Sequence, residues 1–196
     1  MIHKRIKLVL ASSSPFRKSL LEKLQIDFTS DSPDIDESPV AGEPIKAMVT
    51  RLCEAKARAL AEKYPDALII GSDQSASLKG NILSKPGNFE VALKQLQAAS
   101  GQTITFHTGL CLLNTRTQQA ETICEPYTVK FRKLTQHEIE QYLTREQPYN
   151  CAGSFKSEAL GISLFENMQG NDPNALIGLP LIQLCRMLGE NGLPVL

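Results

Sequence analysis

Residues 6–23 read "IKLVLASSSPFRKSLLEK". An apolar run stops at three serines, a proline follows, and Leu20, Leu21 and Leu24 then recur at helical spacing. Ile6 to Ala11 is expected as a strand and Pro15 as the first helical residue, because proline's fixed φ and missing N–H suit that position. A strand that runs through a serine loop into a helix N-terminus is the opening unit of an α/β fold. Such a loop turns several backbone N–H groups and the helix dipole toward an anion, and Arg17 in the first turn can clamp phosphate oxygens bidentately, with Ser12 and Ser14 as further donors. The plainer alternative is that Ser14 only caps the helix and Arg17 is a solvated surface residue.

Outward from this unit, Phe28 to Ser32 reads as a second short strand, and "DSPDIDESPVAGEP" (31–44) as an irregular loop carrying acids. From Ile45 to about Lys63 the apolar residues Ile45, Met48, Val49, Leu52 and Leu60 fall on one helical stripe, and Lys56 falls on it too. "ALIIGSDQ" (67–74) is expected as a buried strand of parallel type ended by Gly71, and "SASLKGNILSKP" (75–86) as a hairpin turning at Lys79, Gly80 and Asn81. A helix from about Asn88 to Ala98 should close at Gly101. "TITFHTGLCLLN" (103–114) and "AETICEPYTVKFRKL" (120–134) alternate as two long strands, and Thr135 with Glu138 forms a capping box for a helix to about Glu146. A last helix begins near Pro180, with Leu181, Leu184, Cys185 and Leu188 in phase. The fold class is α/β with a mixed sheet, over a single domain or two closely joined lobes.

Composition narrows the function. Lys plus Arg and Asp plus Glu balance at 21 each, so no net field gathers nucleic acid or anionic membrane, and an anionic ligand must be small and locally bound. The apolar run Leu8 to Ala11 is too short for a signal-peptide core or a membrane span, and a cytoplasmic protein is expected. Cys53, Cys111, Cys124, Cys151 and Cys185 are scattered without a C-x-x-C pair and are expected as free thiols. His3, His107 and His137 lack metal-ligand spacing, and neither a G-x-x-x-x-G-K-[ST] loop nor a G-x-S-x-G elbow occurs.

Asp73 follows Ile69, Ile70 and Gly71 at the expected carboxyl end of a buried strand, where open α/β sheets keep their sites. A carboxylate there can activate water, hold a divalent metal, or simply cap a turn. Lys56 must either snorkel past the core or meet an anion. Lys85, held extended by Pro86, can point back toward Asp73 or be an ordinary loop lysine. Glu37, or Asp36, can bring a second carboxylate to a metal or remain a solvated acid. Together these residues are the kit for metal-assisted phosphoryl chemistry.

The motifs "LASSSPFRKSLLE" (10–22), "DIDES" (34–38), "RLCEAKA" (51–57), "IIGSDQ" (69–74), "LSKPGN" (83–88), "AGSFKSE" (152–158) and "IGLPL" (177–181) resemble, in order and over essentially the whole chain, the Maf family of nucleotide pyrophosphatases. The resemblance implies an elongated, two-lobed α/β fold with a central mixed twisted sheet, similar to the inosine triphosphate pyrophosphatases. It implies a magnesium- or manganese-dependent hydrolase that splits a nucleoside triphosphate into monophosphate and pyrophosphate. Carried over by motif, Ser12, Ser14 and Arg17 bind phosphate, Lys56 and Lys85 are cleft lysines, Asp73 is the proton acceptor beside its candidate metal role, and Glu37 lies near metal and phosphates. A homodimer is expected by family analogy alone.

Within the resemblance, Phe16, Gln74 and Glu158 stand at three positions tied to substrate choice. An aromatic, Gln and Glu match the branch that handles 7-methyl-GTP, whereas the dTTP and UTP branch tends to carry Arg, Thr and Gln. The chemistry agrees, because an aromatic face can stack on the cationic 7-methylguanine and Glu158 can accept from the guanine N1–H and N2 amino group. Phe16 as a core anchor and Glu158 as an exposed acid are the plainer alternatives. The chain departs from many relatives at Ala159, where they carry glycine. A pyrimidine triphosphate pyrophosphatase and a non-catalytic nucleotide-binding regulator of cell division or septum formation are the competing functions.

Overall fold

The apolar run forms β1 (Lys7–Ala11), buried at its last four positions and paired in parallel on both sides. The neighbours are β2 (Thr29–Asp31) and β3 (Ala67–Leu78), in the registers Ala11↔Asp31 and Ala11↔Gly71. A strand flanked on both edges and covered on both faces needs the unbroken Leu-Val-Leu-Ala run rather than an alternating one. The chain then turns through the serines into α1 (Pro15–Glu22), with proline at the helix start and Leu20 and Leu21 buried. This computed structural model describes residues 6–196; the basic opening stretch and His3 lie outside the described residues.

The amphipathic stripe forms α2 (Ile45–Ala59), which buries Met48, Val49, Leu52, Cys53, Lys56 and Ala57. It ends short of the expected Lys63, because the backbone tightens into i→i−3 bonds from Leu60 N–H to Ala57 O and from Ala61 N–H to Arg58 O. The expected strand end at Gly71 is also corrected: β3 runs on to Leu78. Gly71 is there for a different reason, since a Cβ would collide with the Cys53 carbonyl oxygen of α2. Gly109, in β5 (Thr103–Asn114), meets the Val49 carbonyl in the same way, so two glycines let α2 settle close onto the sheet. Lys79 and Gly80, both at positive φ, turn β3 back into β4 (Asn81–Leu83), with Leu78 opposite Asn81.

Among the described residues the strands form a seven-stranded mixed sheet in the order β2-β1-β3-β5-β6-β7, with β4 paired to β3; β6 is Gln119–Phe131 and β7 is Phe165–Gly170. The helices are completed by α3 (Phe89–Ala99), α4 (Gln136–Glu146), α5 (Pro173–Ile177) and α6 (Leu181–Glu190). Asn88 caps α3, and both bonds of the Thr135–Glu138 capping box are present at α4. No described helix is long and apolar enough to cross a membrane.

The chain divides into two compact units, each with its own core. The first comprises the residues up to Gln74, Thr108–Glu125 and Gly178–Leu196, and closes on Val9, Ala11, Cys53, Ala57, Ile69 and Leu113. The second comprises Ser75–His107 and Pro126–Ile177. There Phe155 packs edge-to-face against Phe106, Phe131 and Phe165, with ring centroids 4.9–5.4 Å apart.

Candidate active site

Because α2 sits directly on Gly71, Lys56 is carried down to β3, where its Nζ donates to Asp73 Oδ1 at 2.7 Å. Glu37 Oε1, from the acidic loop, approaches the same Nζ at 3.1 Å. The Lys56 side chain is only 7% exposed, against 59% for Glu37. The ammonium therefore turns inward to two carboxylates, and the snorkelling alternative falls. A buried ammonium is tolerable only with such partners, since desolvation outweighs a single poor contact.

Asp73 lies inside β3 rather than at its end, and caps no turn. It stands two residues beyond Gly71, where the pairing with β1 stops, so it still occupies the carboxyl edge of the parallel β1–β3 pair. Arg17 lies within electrostatic reach of the pair: burial pulls its pKa down, while Asp73, Glu37 and Cys53 act in the opposite direction. Its Nε donates to the carbonyl of Gly178 at 3.0 Å. The same carbonyl accepts from the hydroxyl of Ser72 at 2.9 Å, and Ser72 also reaches Gly109 O at 2.8 Å.

In the serine loop, Ser12 Oγ accepts from Ser14 N–H at 3.1 Å and Ser14 Oγ from Arg17 N–H at 3.4 Å. Ser14 is thus the helix cap, as the plainer reading holds, and it lines a cavity of about 360 Å³ along with Ser12, Lys18 and Asp31. Asp31, which no sequence motif marks, has its carboxyl held below the usual range by hydrogen bonds from Lys63 and Tyr64.

Phe16 is 36% exposed in the first turn of α1, so it is no core anchor. Gln74 Nε2 donates to the buried Thr108 Oγ1 at 3.0 Å. Lys85 and Glu158 belong to the second unit and are both exposed. The Lys85 loop is tied by Gln95 Nε2 to Ser84 O at 3.0 Å and by Gly87 N–H to Tyr149 O at 2.9 Å. Ser157 Oγ donates to Glu158 Oε2 at 3.2 Å. Burial pushes the Cys151 thiol up, with smaller and opposed contributions from Lys156, Glu158, Glu146 and Lys85. Ala159 has φ −131°, a value that needs no glycine.

Glu37 and Asp73 carry hard oxygen donors of the kind magnesium and manganese take, and both carboxylates meet at the Lys56 ammonium. Among the described residues no group of three or more His, Cys, Asp or Glu is arranged to hold a metal. Two carboxylates make the protein's share of a magnesium-type site only where water and phosphate oxygens supply the remaining ligands.

A family model described as Maf-like protein matches residues 7–191. The chain is 57% identical to a protein of Nitrosococcus oceani, covering 96% of this chain and 95% of that one. It is 55% identical to a protein of Alcanivorax borkumensis, with 94% of each covered. A protein of Aliivibrio fischeri is 54% identical, with 97% of this chain and 98% of that one covered. Each of the three bears the name 7-methyl-GTP pyrophosphatase. Among solved structures, the Ham1 protein of Staphylococcus aureus is similar at a TM-score of 0.44 and 13% identity, covering 64% of this chain and 71% of that one.

Proposed function

The chain belongs to the Maf family, and from that premise we propose that it is a nucleoside triphosphate pyrophosphatase hydrolysing 7-methyl-GTP to 7-methyl-GMP and pyrophosphate. The observation that carries the reading is the buried Lys56 ammonium held between Asp73 at 2.7 Å and Glu37 at 3.1 Å. Asp73 orients a water and takes its proton as the oxygen attacks the α-phosphorus; the bond from that phosphorus to the bridging oxygen breaks, and pyrophosphate leaves. Lys56 fixes the carboxylate's direction through its 2.7 Å bond. Arg17 and the serine loop hold phosphate oxygens, and Lys85 takes up charge on the departing group. Glu37 and Asp73 would hold a divalent cation with the phosphates, and such a cation, when bound, neutralises the charge that develops on the leaving pyrophosphate.

For the base, the exposed face of Phe16 stacks on the 7-methylguanine cation, while Glu158 accepts from its N1–H and N2 amino group. Gln74, held by Thr108, contributes the third specificity position. A cytoplasmic setting goes with this reading, supported by the five free cysteines. Asp73→Asn keeps the side chain's shape and removes its basicity. It is expected to lower pyrophosphate release by about 10²–10⁴-fold. A variant with full turnover would remove Asp73 from the mechanism, and a wild type that binds nucleotide without releasing pyrophosphate would favour the regulator.

A further inference from the structure

We propose that the carbonyl of Gly178, fixed in place by Ser72, positions the guanidinium of Arg17 for the phosphate it binds, so that Gly178 and Ser72 are positioning residues for the reaction. The proposal rests on the pyrophosphatase reading. Its basis is that one peptide oxygen serves two donors, Arg17 Nε at 3.0 Å and Ser72 Oγ at 2.9 Å. A carbonyl has two lone pairs, so this oxygen can accept from both. Ser72 has no solvent exposure, and its hydroxyl has one proton with two carbonyls, Gly178 O and Gly109 O, in reach. That hydroxyl fastens the chain at Gly178 to the sheet at the residue next to Asp73.

The bond through Nε fixes more than the distance. A guanidinium is planar, with five N–H donors in a rigid fork. Committing Nε to Gly178 leaves the edge formed by Nη1 and Nη2 as the one suited to a bidentate phosphate contact, and sets the plane in which it lies. Because Ser72 and Asp73 are consecutive in β3, the oxygen that aims Arg17 is referred to the same strand that carries the carboxylate. The two groups that must meet one α-phosphorus and its oxygens are thereby set from one ruler.

Gly178 itself has φ +131°, a conformation that side-chain-bearing residues rarely adopt. A Cβ there would lie 3.6 Å from Arg17 Nε and 3.7 Å from its Cγ, which is ordinary contact. Crowding is therefore not what excludes a side chain. What alanine would change is the backbone direction, and with it the carbonyl that Arg17 is bonded to. The motif "IGLPL" gains a role by this route: it delivers an acceptor, not a side chain.

The test is a double-mutant comparison on the full chain. Gly178→Ala and Ser72→Ala are each made alone and in an Arg17→Ala background, with kcat/KM for 7-methyl-GTP, Kd for inorganic pyrophosphate and thermal melting all measured. With Arg17 present, each is expected to lower kcat/KM by about tenfold to a hundredfold, the scale of an ångström of misplacement. In the Arg17→Ala background each should cost no more than about twofold, because its effect passes through the missing guanidinium. Equal fold losses in both backgrounds mean a merely structural role and overturn the proposal, as does a Ser72→Ala variant with unchanged kcat/KM and Kd. Ser72→Ala adds no backbone strain and keeps the comparison available where Gly178→Ala does not fold. If the wild type neither binds nor hydrolyses, the pyrophosphatase reading fails, and the positioning role with it; a wild type that turns over with additive losses sinks the positioning role alone.

Discussion

At the scale of single residues, Lys56 and Asp73 were legible because each breaks a local pattern. A lysine on an apolar stripe and an acid after an apolar strand both demand a partner, and here each is the other's, at 2.7 Å. Gly178 was not legible in that sense: its carbonyl is chemically anonymous, and only the tertiary fold reveals which donors reach it. Phe16 and Glu37 lie between these cases, since sequence marks their chemistry but not their exposure. Lys56→Met should leave Asp73 facing an apolar neighbour in a site only 11% exposed. About 3 kcal/mol of unfolding free energy or less should be lost, discounted because Glu37 is largely solvated. Chemical denaturation with a pyrophosphate-release assay reads both effects, and activity should fall at least about tenfold because the carboxylate loses its orienting bond. Unchanged stability together with unchanged activity would show that the ion pair does neither job.

At the scale of elements, periodicity placed nearly every helix and strand, and the errors share one cause. Gly71 reads as a strand terminator, yet it is a seat for α2, and sequence cannot distinguish a glycine required by its own backbone from one required by a neighbour's. The end of α2 is similar, since Leu60 to Lys63 keep helical composition while the hydrogen bonds change class. Gly71→Ala should push α2 off the sheet, costing about 1–3 kcal/mol by overpacking and more activity than stability alone explains, because Lys56 moves with the helix. Thermal melts beside the activity assay separate the two effects. The capping box at α4 gives a pH prediction. Glu138 is pulled down to about 2, chiefly by the Thr135 backbone N–H and then by Arg132. A depressed carboxyl contributes stability that is full above its unfolded value of 4.5 and fades as pH falls toward about 2. Glu138→Gln should therefore lower the melting temperature at pH 7 and converge with wild type near pH 2; a constant offset across that window would contradict the linkage.

At the scale of the whole molecule, the α/β class and the mixed sheet followed from the order of the elements. The division into two units did not, because three of the four crossings fall inside β3, β5 and β6, and only the one at Gly178 lies in a loop, between α5 and α6. Ser12, Ser14, Arg17, Glu37, Lys56 and Asp73 all belong to the first unit, and Lys85 and Glu158 to the second. The measurement that bears most directly on the function is pyrophosphate release by the wild-type chain from 7-methyl-GTP, GTP, UTP and dTTP at equal concentration with magnesium or manganese. The highest kcat/KM is expected for 7-methyl-GTP, exceeding UTP and dTTP by at least about tenfold, since a pyrimidine leaves the guanine-reading groups unpaired. Preference for UTP or dTTP, or release of orthophosphate in place of pyrophosphate, would contradict the account.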